Sequence, residues 1–210
     1  PPSSIKSALF TGVMTICSLT ICVSMLVSTL QDIKQQRDAL INELKSYASI
    51  IAFNAQASFE AAQTIIDRDN IEFTDEQENI FSDFASMEES RLRSFNAVPM
   101  FHNIHIYQLT PQSDKLQIYS IYNAQGVGPY PAQFEKVTSF LTPVVSDNYV
   151  ELSQEIRLSD QLAGYVFIRA SQEDLKNYIQ NRILFDLFII VCALIIVYFL
   201  TRKLEQRFTT

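Results

Sequence analysis

Apolar and polar positions along this chain fall into three regimes. From Ser7 to Gln31 there is no Asp, Glu, Lys, Arg or His, and from Ile183 to Thr201 the one charged residue is Asp186. At about 1.5 Å rise per residue, each run is long enough to cross a hydrocarbon layer of roughly 30 Å, so both read as transmembrane helices. Lys6 ahead of the first run, and Arg202, Lys203 and Arg207 after the second, put both ends on the cytoplasmic side by the positive-inside rule. Residues 32–182 then lie outside the cytoplasm. The first run exceeds the apolar core of a secretory signal and no small-residue cleavage site follows it, which favours an anchor over a cleaved leader. The chain begins with Pro1 and stops soon after the second run, so it reads as a piece of a longer protein.

Between the runs the hydrophobic period changes twice. Residues 32–66 have the 3–4 spacing of a long helix, with one stripe of Ile33, Leu40, Leu44, Tyr47 and Ile51 and a second of Ile41, Ala48, Ala52, Ala55 and Phe59. The first stripe is a candidate dimer and signalling surface; the alternative is that both stripes are buried within the domain. After a polar break at 67–73, Thr74 to Gln77 reads as a capping box opening a helix to about Phe95. Its expected inner face is Ile80, Phe81, Phe84, Met87 and Leu92, with Glu76, Glu78, Glu88 and Glu89 in water. Period two then takes over in Asn103–Leu109 and Lys115–Tyr122, a hairpin, and in Tyr149–Leu158 and Leu162–Ala170, a second one turning through Ser159, Asp160 and Gln161 with mixed geometry. Pro131 opens a short helix with Phe134, Val137 and Leu141 inward, and Ser171 caps a last helix that runs without Gly or Pro into the second span.

Charge narrows the partners. Setting aside Lys6, Arg202, Lys203 and Arg207 leaves 12 basic residues for the outer region, and setting aside Asp186 and Glu205 leaves 21 acidic ones, an excess of nine negative charges. No Lys/Arg stripe exists to neutralise phosphates, which excludes nucleic acid as a partner. Cys17, Cys22 and Cys192 all lie in the apolar runs, so the outer region holds no disulfide and depends on an ordinary core.

Chemistry is absent from the motifs. There is no nucleophile elbow, phosphate loop, zinc-protease helix or dinucleotide fingerprint, and no Cys/His metal spacing, so no catalytic, cofactor or metal site is assigned. His102 and His105 read as ordinary strand residues on different faces. Arg91 and Arg93 are candidate anion contacts, and Tyr107, Tyr119, Tyr122 and Tyr130 candidate pocket residues, each with a plainer role in helix surface or strand packing. Asp186 has Arg182 four residues before it and reads as an interfacial pair near the headgroups.

The segment Glu43 to Phe59, followed by Glu60-Ala61-Ala62, and the strand pair Ile156 to Ser171 resemble the CHASE-type periplasmic region of YfiN-like membrane diguanylate cyclases. Arg202 to Phe208 stands where that family enters a HAMP connector. The resemblance implies an α+β fold: two transmembrane helices flanking an extracytoplasmic PAS-like or Cache-like domain, with a long N-terminal helix and a mixed antiparallel sheet. The expected divisions are residues 7–31 and 183–201 for the spans, 32–182 for the sensor domain and 202–210 for the start of the connector. It further implies a homodimeric bacterial inner-membrane receptor whose input, a small ligand or a periplasmic regulatory protein, controls cyclic-di-GMP synthesis by a cyclase lying beyond this segment. The segment itself is expected to be non-catalytic and to carry no cofactor. The alternatives are the input region of a histidine kinase or chemoreceptor, and a two-span structural subunit of an envelope complex.

Overall fold

A computed structural model describes residues 2–69, 71, 75–110 and 115–208. Its elements are α1 (Pro2–Arg68), α2 (Asp75–Leu92), β1 (Phe101–Leu109), β2 (Leu116–Asn123), β3 (Val144–Val145), β4 (Tyr149–Leu158), β5 (Gln161–Ser171) and α3 (Glu173–Phe208), with 3-10 turns at Arg93–Ala97 and Val137–Leu141. The chain divides into two compact units, Ala39–Asp174, and Pro1–Asp38 together with Leu175–Thr210.

The first unit is an α+β domain. Its five strands form one antiparallel sheet in the order β2-β1-β5-β4-β3. One face packs on α1, because Leu44, Ala48, Ile51, Ala52, Ala55 and Phe59 recur at helical spacing and meet Ile104, Ile106, Val166 and Ile168 of the two central strands. Alanines at three of those positions let helix and sheet approach closely. Tyr47 closes one end, its ring 5.0 Å from Phe101 and 6.0 Å from Phe95.

The two stripes expected on α1 therefore merge into one buried face between residues 40 and 59. Leu44 and Ile51 are enclosed by the domain's own core, with Leu40 and Tyr47 packed at its margin, so these positions are not free to meet a second chain. Ile33 belongs to the other unit and is half-buried there. What α1 leaves exposed is the reverse side, where Ile50 and Phe53 stand 54% and 69% accessible.

Other expectations change with the local geometry. The capping box at Thr74 lies outside the described residues; Gln77 donates its side-chain amide to the Ile71 carbonyl. Glu88, expected in water, is 1% exposed, whereas Met87 is 55% exposed. The helical turn after Pro131 is a 3-10 helix at Val137–Leu141, whose period of three buries Val137 and Phe140 and leaves Leu141 exposed, while Phe134, ahead of that helix, is exposed as well. The turn between β4 and β5 is a two-residue loop closed by the Leu158–Gln161 pair, with φ of +46° at Ser159 and +68° at Asp160. Positive φ at both central positions is the type I′ pattern, whose twist matches the flanking strands.

The second unit pairs the amino-terminal part of α1 with α3 after Leu175. Among the described residues two helices are long and apolar enough to cross a membrane, within Thr11–Arg68 and Glu173–Lys203. Among the described residues of this unit, the least exposed positions on α1 are Met14, Ser18, Cys22, Met25, Thr29, Asp32 and Ile33, and on α3 Ile179, Arg182, Asp186, Ile189, Ile190, Ala193 and Val197 among others. Spacings of three and four on both helices are those of a packed seam.

Candidate functional site

Strand alternation sends a second set of side chains to the face away from α1. Read across the sheet, one row is Asn123, Asn103, Arg169 and Glu151, and the next is Ile121, His105, Phe167 and Ser153. The connection between β2 and β3 covers these rows. Its Val137 and Phe140 are buried with Tyr107, Tyr165 and Phe167, and Tyr130 packs against that cluster with its ring stacked on Phe167 at 5.8 Å. Buried polar strand residues beneath that cover are what distinguish this side from the apolar core beneath α1.

Arg169 lies at its centre. The guanidinium carbon is 4.2 Å from the Tyr130 ring centroid and 3.7 Å from that of Tyr149, a cation held between two ring faces. Each such contact contributes on the order of 0.5–2 kcal/mol, more as water is excluded. Glu151 Oε1 stands 3.5 Å from Arg169 Nε and accepts the Tyr130 hydroxyl at 2.7 Å. Burial first, then the hydrogen bond and charge of Glu151, push the Tyr130 phenol up to about 12.

His105, fully buried, adds a donor. The Tyr107 hydroxyl oxygen accepts the Gln133 N–H at 2.8 Å and lies 3.1 Å from His105 Nδ1. With an N–H already on its oxygen, Tyr107 satisfies its own proton by donating to Nδ1, which puts the proton of the neutral ring on Nε2. Burial pushes the imidazole down to about 4, so the ring is neutral at pH 7.

Four buried polar atoms of these rows have no hydrogen-bond partner among the described residues: His105 Nε2, Asn103 Oδ1, Ser153 Oγ and Arg169 Nε. An unsatisfied buried donor or acceptor costs about 1–3 kcal/mol, so a set on one face is a demand for polar company. His102 joins the same side through a bulge between Phe101 and Asn103: its ring lies 5.4 Å from Tyr149, and its Nδ1 is also unpartnered. Plain alternation therefore misplaced it. Burial and the Arg169 charge lower its pKa, with Glu173 opposing. His102 also lines a cleft of about 240 Å³ with Asn96, Phe101, Tyr122 and Gln125.

Of the residues expected from sequence, Tyr107 and Tyr130 are brought together on this face and the others are not. Tyr119 packs under α1 on Phe59, ring centroids 4.6 Å apart, and Tyr122 donates to Asn96 Oδ1 at 2.9 Å. Arg91 pairs with buried Glu88 at 3.1 Å, and Arg93 with exposed Glu89 at 2.9 Å. His105, Ser153 and Arg169 were missed because polar residues alternating with apolar ones read as solvent-facing. The signal available was Arg169, a charge amid the apolar run of β5.

No protein-family model matches the chain, and no curated protein matches it. Among solved structures, the ligand-binding domain of the Pseudomonas aeruginosa PAO1 amino acid chemoreceptor PctC, in complex with GABA, superposes with a TM-score of 0.30 at 14% identity, covering 65% of this chain and 64% of that one. The match spans less than two thirds of that domain's length, and at this level of superposition it carries no argument, so the chain's own residues assign its function.

Proposed function

We propose that this chain is the sensory input and transmembrane signalling region of a bacterial membrane receptor. The observation that carries the reading is connectivity: two helices able to span a membrane bracket one α+β domain, and α3 begins one residue after β5, a central strand. A change at the sheet has only Gln172 between it and the helix that continues into the second span. That residue is itself tied down, its amide donating to Ser146 O at 2.6 Å and Tyr149 O at 2.8 Å.

The domain lies outside the cytoplasm by the charge flanking the spans, and its input is a small polar ligand received at the face of His105, Ser153 and Arg169. The unpartnered atoms there support that choice over a protein regulator. By the sequence resemblance, the output is a cyclic-di-GMP-forming cyclase in a homodimer; dimer contacts along α1 then fall on the side of Ile50 and Phe53.

Topology tests the reading. In intact cells, a membrane-impermeant maleimide should label Gln125→Cys and leave Arg202→Cys unlabelled until the cells are lysed. Labelling of both, or of neither, before lysis overturns it.

A further inference from the structure

Among the described residues of the helix pair, Thr29 on α1 and Asp186 on α3 are buried, 8% and 9% exposed, while the apolar residues around them remain largely accessible. Thr29 donates its hydroxyl to Asp186 Oδ2, and that hydroxyl also reaches the Met25 carbonyl at 3.0 Å. Arg182, one turn before Asp186, holds Asp32 Oδ2 at 3.2 Å through Nη2 and Asp186 Oδ2 at 3.6 Å through Nε. Two residues from each helix thus form one polar cluster, in which a single cation spans two carboxylates on opposite helices.

Apolar side chains define an axial position in lipid less sharply than polar ones, because sliding one helix past another exchanges many of their contacts for similar ones with neighbours and acyl chains. A carboxylate near the edge of the hydrocarbon can, since leaving its partners exposes charge to a poor solvent. We propose that Thr29, Asp32, Arg182 and Asp186 form a register latch, which fixes the height of α3 against α1 and must open for α3 to move along its axis. The inference rests on the two-span reading above. One turn of travel, about 5.4 Å, would carry Asp186 out of reach of Thr29.

The seam supplies its own gauge. Cys22 lies seven residues before Thr29 and Ala193 seven after Asp186, so both sit about 10 Å further along the pair, on the latch face. In the full chain in native membranes, with Cys17 and Cys192 changed to Ser, oxidation should join Cys22 to Ala193→Cys and only weakly to Ile189→Cys or Val197→Cys, the positions one turn away. Replacing the cluster by Thr29→Val, Arg182→Leu and Asp186→Leu removes both cross-helix contacts and should lower the first crosslink about three- to tenfold and raise the other two. Asp186→Asn alone keeps an acceptor for Thr29 and leaves the Arg182–Asp32 pair in place, and should preserve the original preference. An unchanged preference for Ala193→Cys in the triple variant overturns the latch. Release of the chain by alkaline carbonate would instead overturn the membrane reading, so the two failures are separable.

Discussion

Ser58 donates its hydroxyl to Glu88 Oε2 at 3.1 Å, joining α1 to α2 through a carboxylate that is almost wholly buried. Arg91 donates to the same oxygen at 3.1 Å from the exposed side of α2. The Tyr119 hydroxyl is nearby, its pKa raised chiefly by burial and further by the Glu88 charge. Glu88→Ala should therefore cost about 2–4 kcal/mol, because it leaves Ser58 without a partner and opens a cavity between the helices. Glu88→Gln should cost less, and denaturant melts of the detergent-solubilised chain would show both. A loss equal to that of an exposed Glu89→Ala would contradict the buried pairing.

Gly164 lies where β5 meets β1. A Cβ there would fall 2.0 Å from the Tyr107 carbonyl oxygen, a backbone atom that cannot swing aside. Gly164→Ala should destabilise the domain by about 2–4 kcal/mol through displacement of the central strand pair. Gly128→Ala, with nothing within 4 Å of its added carbon, is the matched control and should leave the melting temperature nearly unchanged.

His105 gives the domain an acid limit. Its folded pKa is depressed to about 4, below the ordinary value of 6.5, so the unfolded chain binds the extra proton first as pH falls. The stability that this group lends is fully present above about pH 6.5 and is lost progressively down to pH 4, by about 3 kcal/mol in all. Denaturant midpoints taken across that window should fall more steeply for the native chain than for His105→Gln.

The turn after β4 carries strain that can be relieved. Ser159 holds φ of +46° with a full side chain, whereas Asn or Gly adopts that region readily. Ser159→Asn should raise stability by about 0.5 kcal/mol, visible as a higher thermal midpoint without change in the folded spectrum.

Legibility in the sequence followed the strength of each period. The long helix before β1, β4 from Tyr149 to Leu158 and the unbroken passage into the last helix were all readable, because one pattern persists for ten residues or more. What failed were features decided by a partner distant in the chain. Glu88 looks solvated until Ser58, thirty residues away, is placed against it. Ser153 looks exposed until the Val137–Leu141 turn folds over its face. The two-residue β3 has too few positions to show any period. Asp186, by contrast, was visible as a lone charge in an apolar run, and only its partners on the other helix were not.

The brevity of β3 has a further consequence, for behaviour at high concentration. It covers β4 at Val150 and Glu151 alone, so from Leu152 to Leu158 the side of that strand away from β5 forms a margin of the sheet with no strand beside it among the described residues. Such a margin invites another molecule's strand and, from there, fibrous aggregation. Glu155 and Arg157 stand along it, paired at 2.8 Å, and present charge to any approaching apolar strand. The ion pair contributes little to the fold from so exposed a position. Its place on the margin instead sets charge against edge-to-edge pairing.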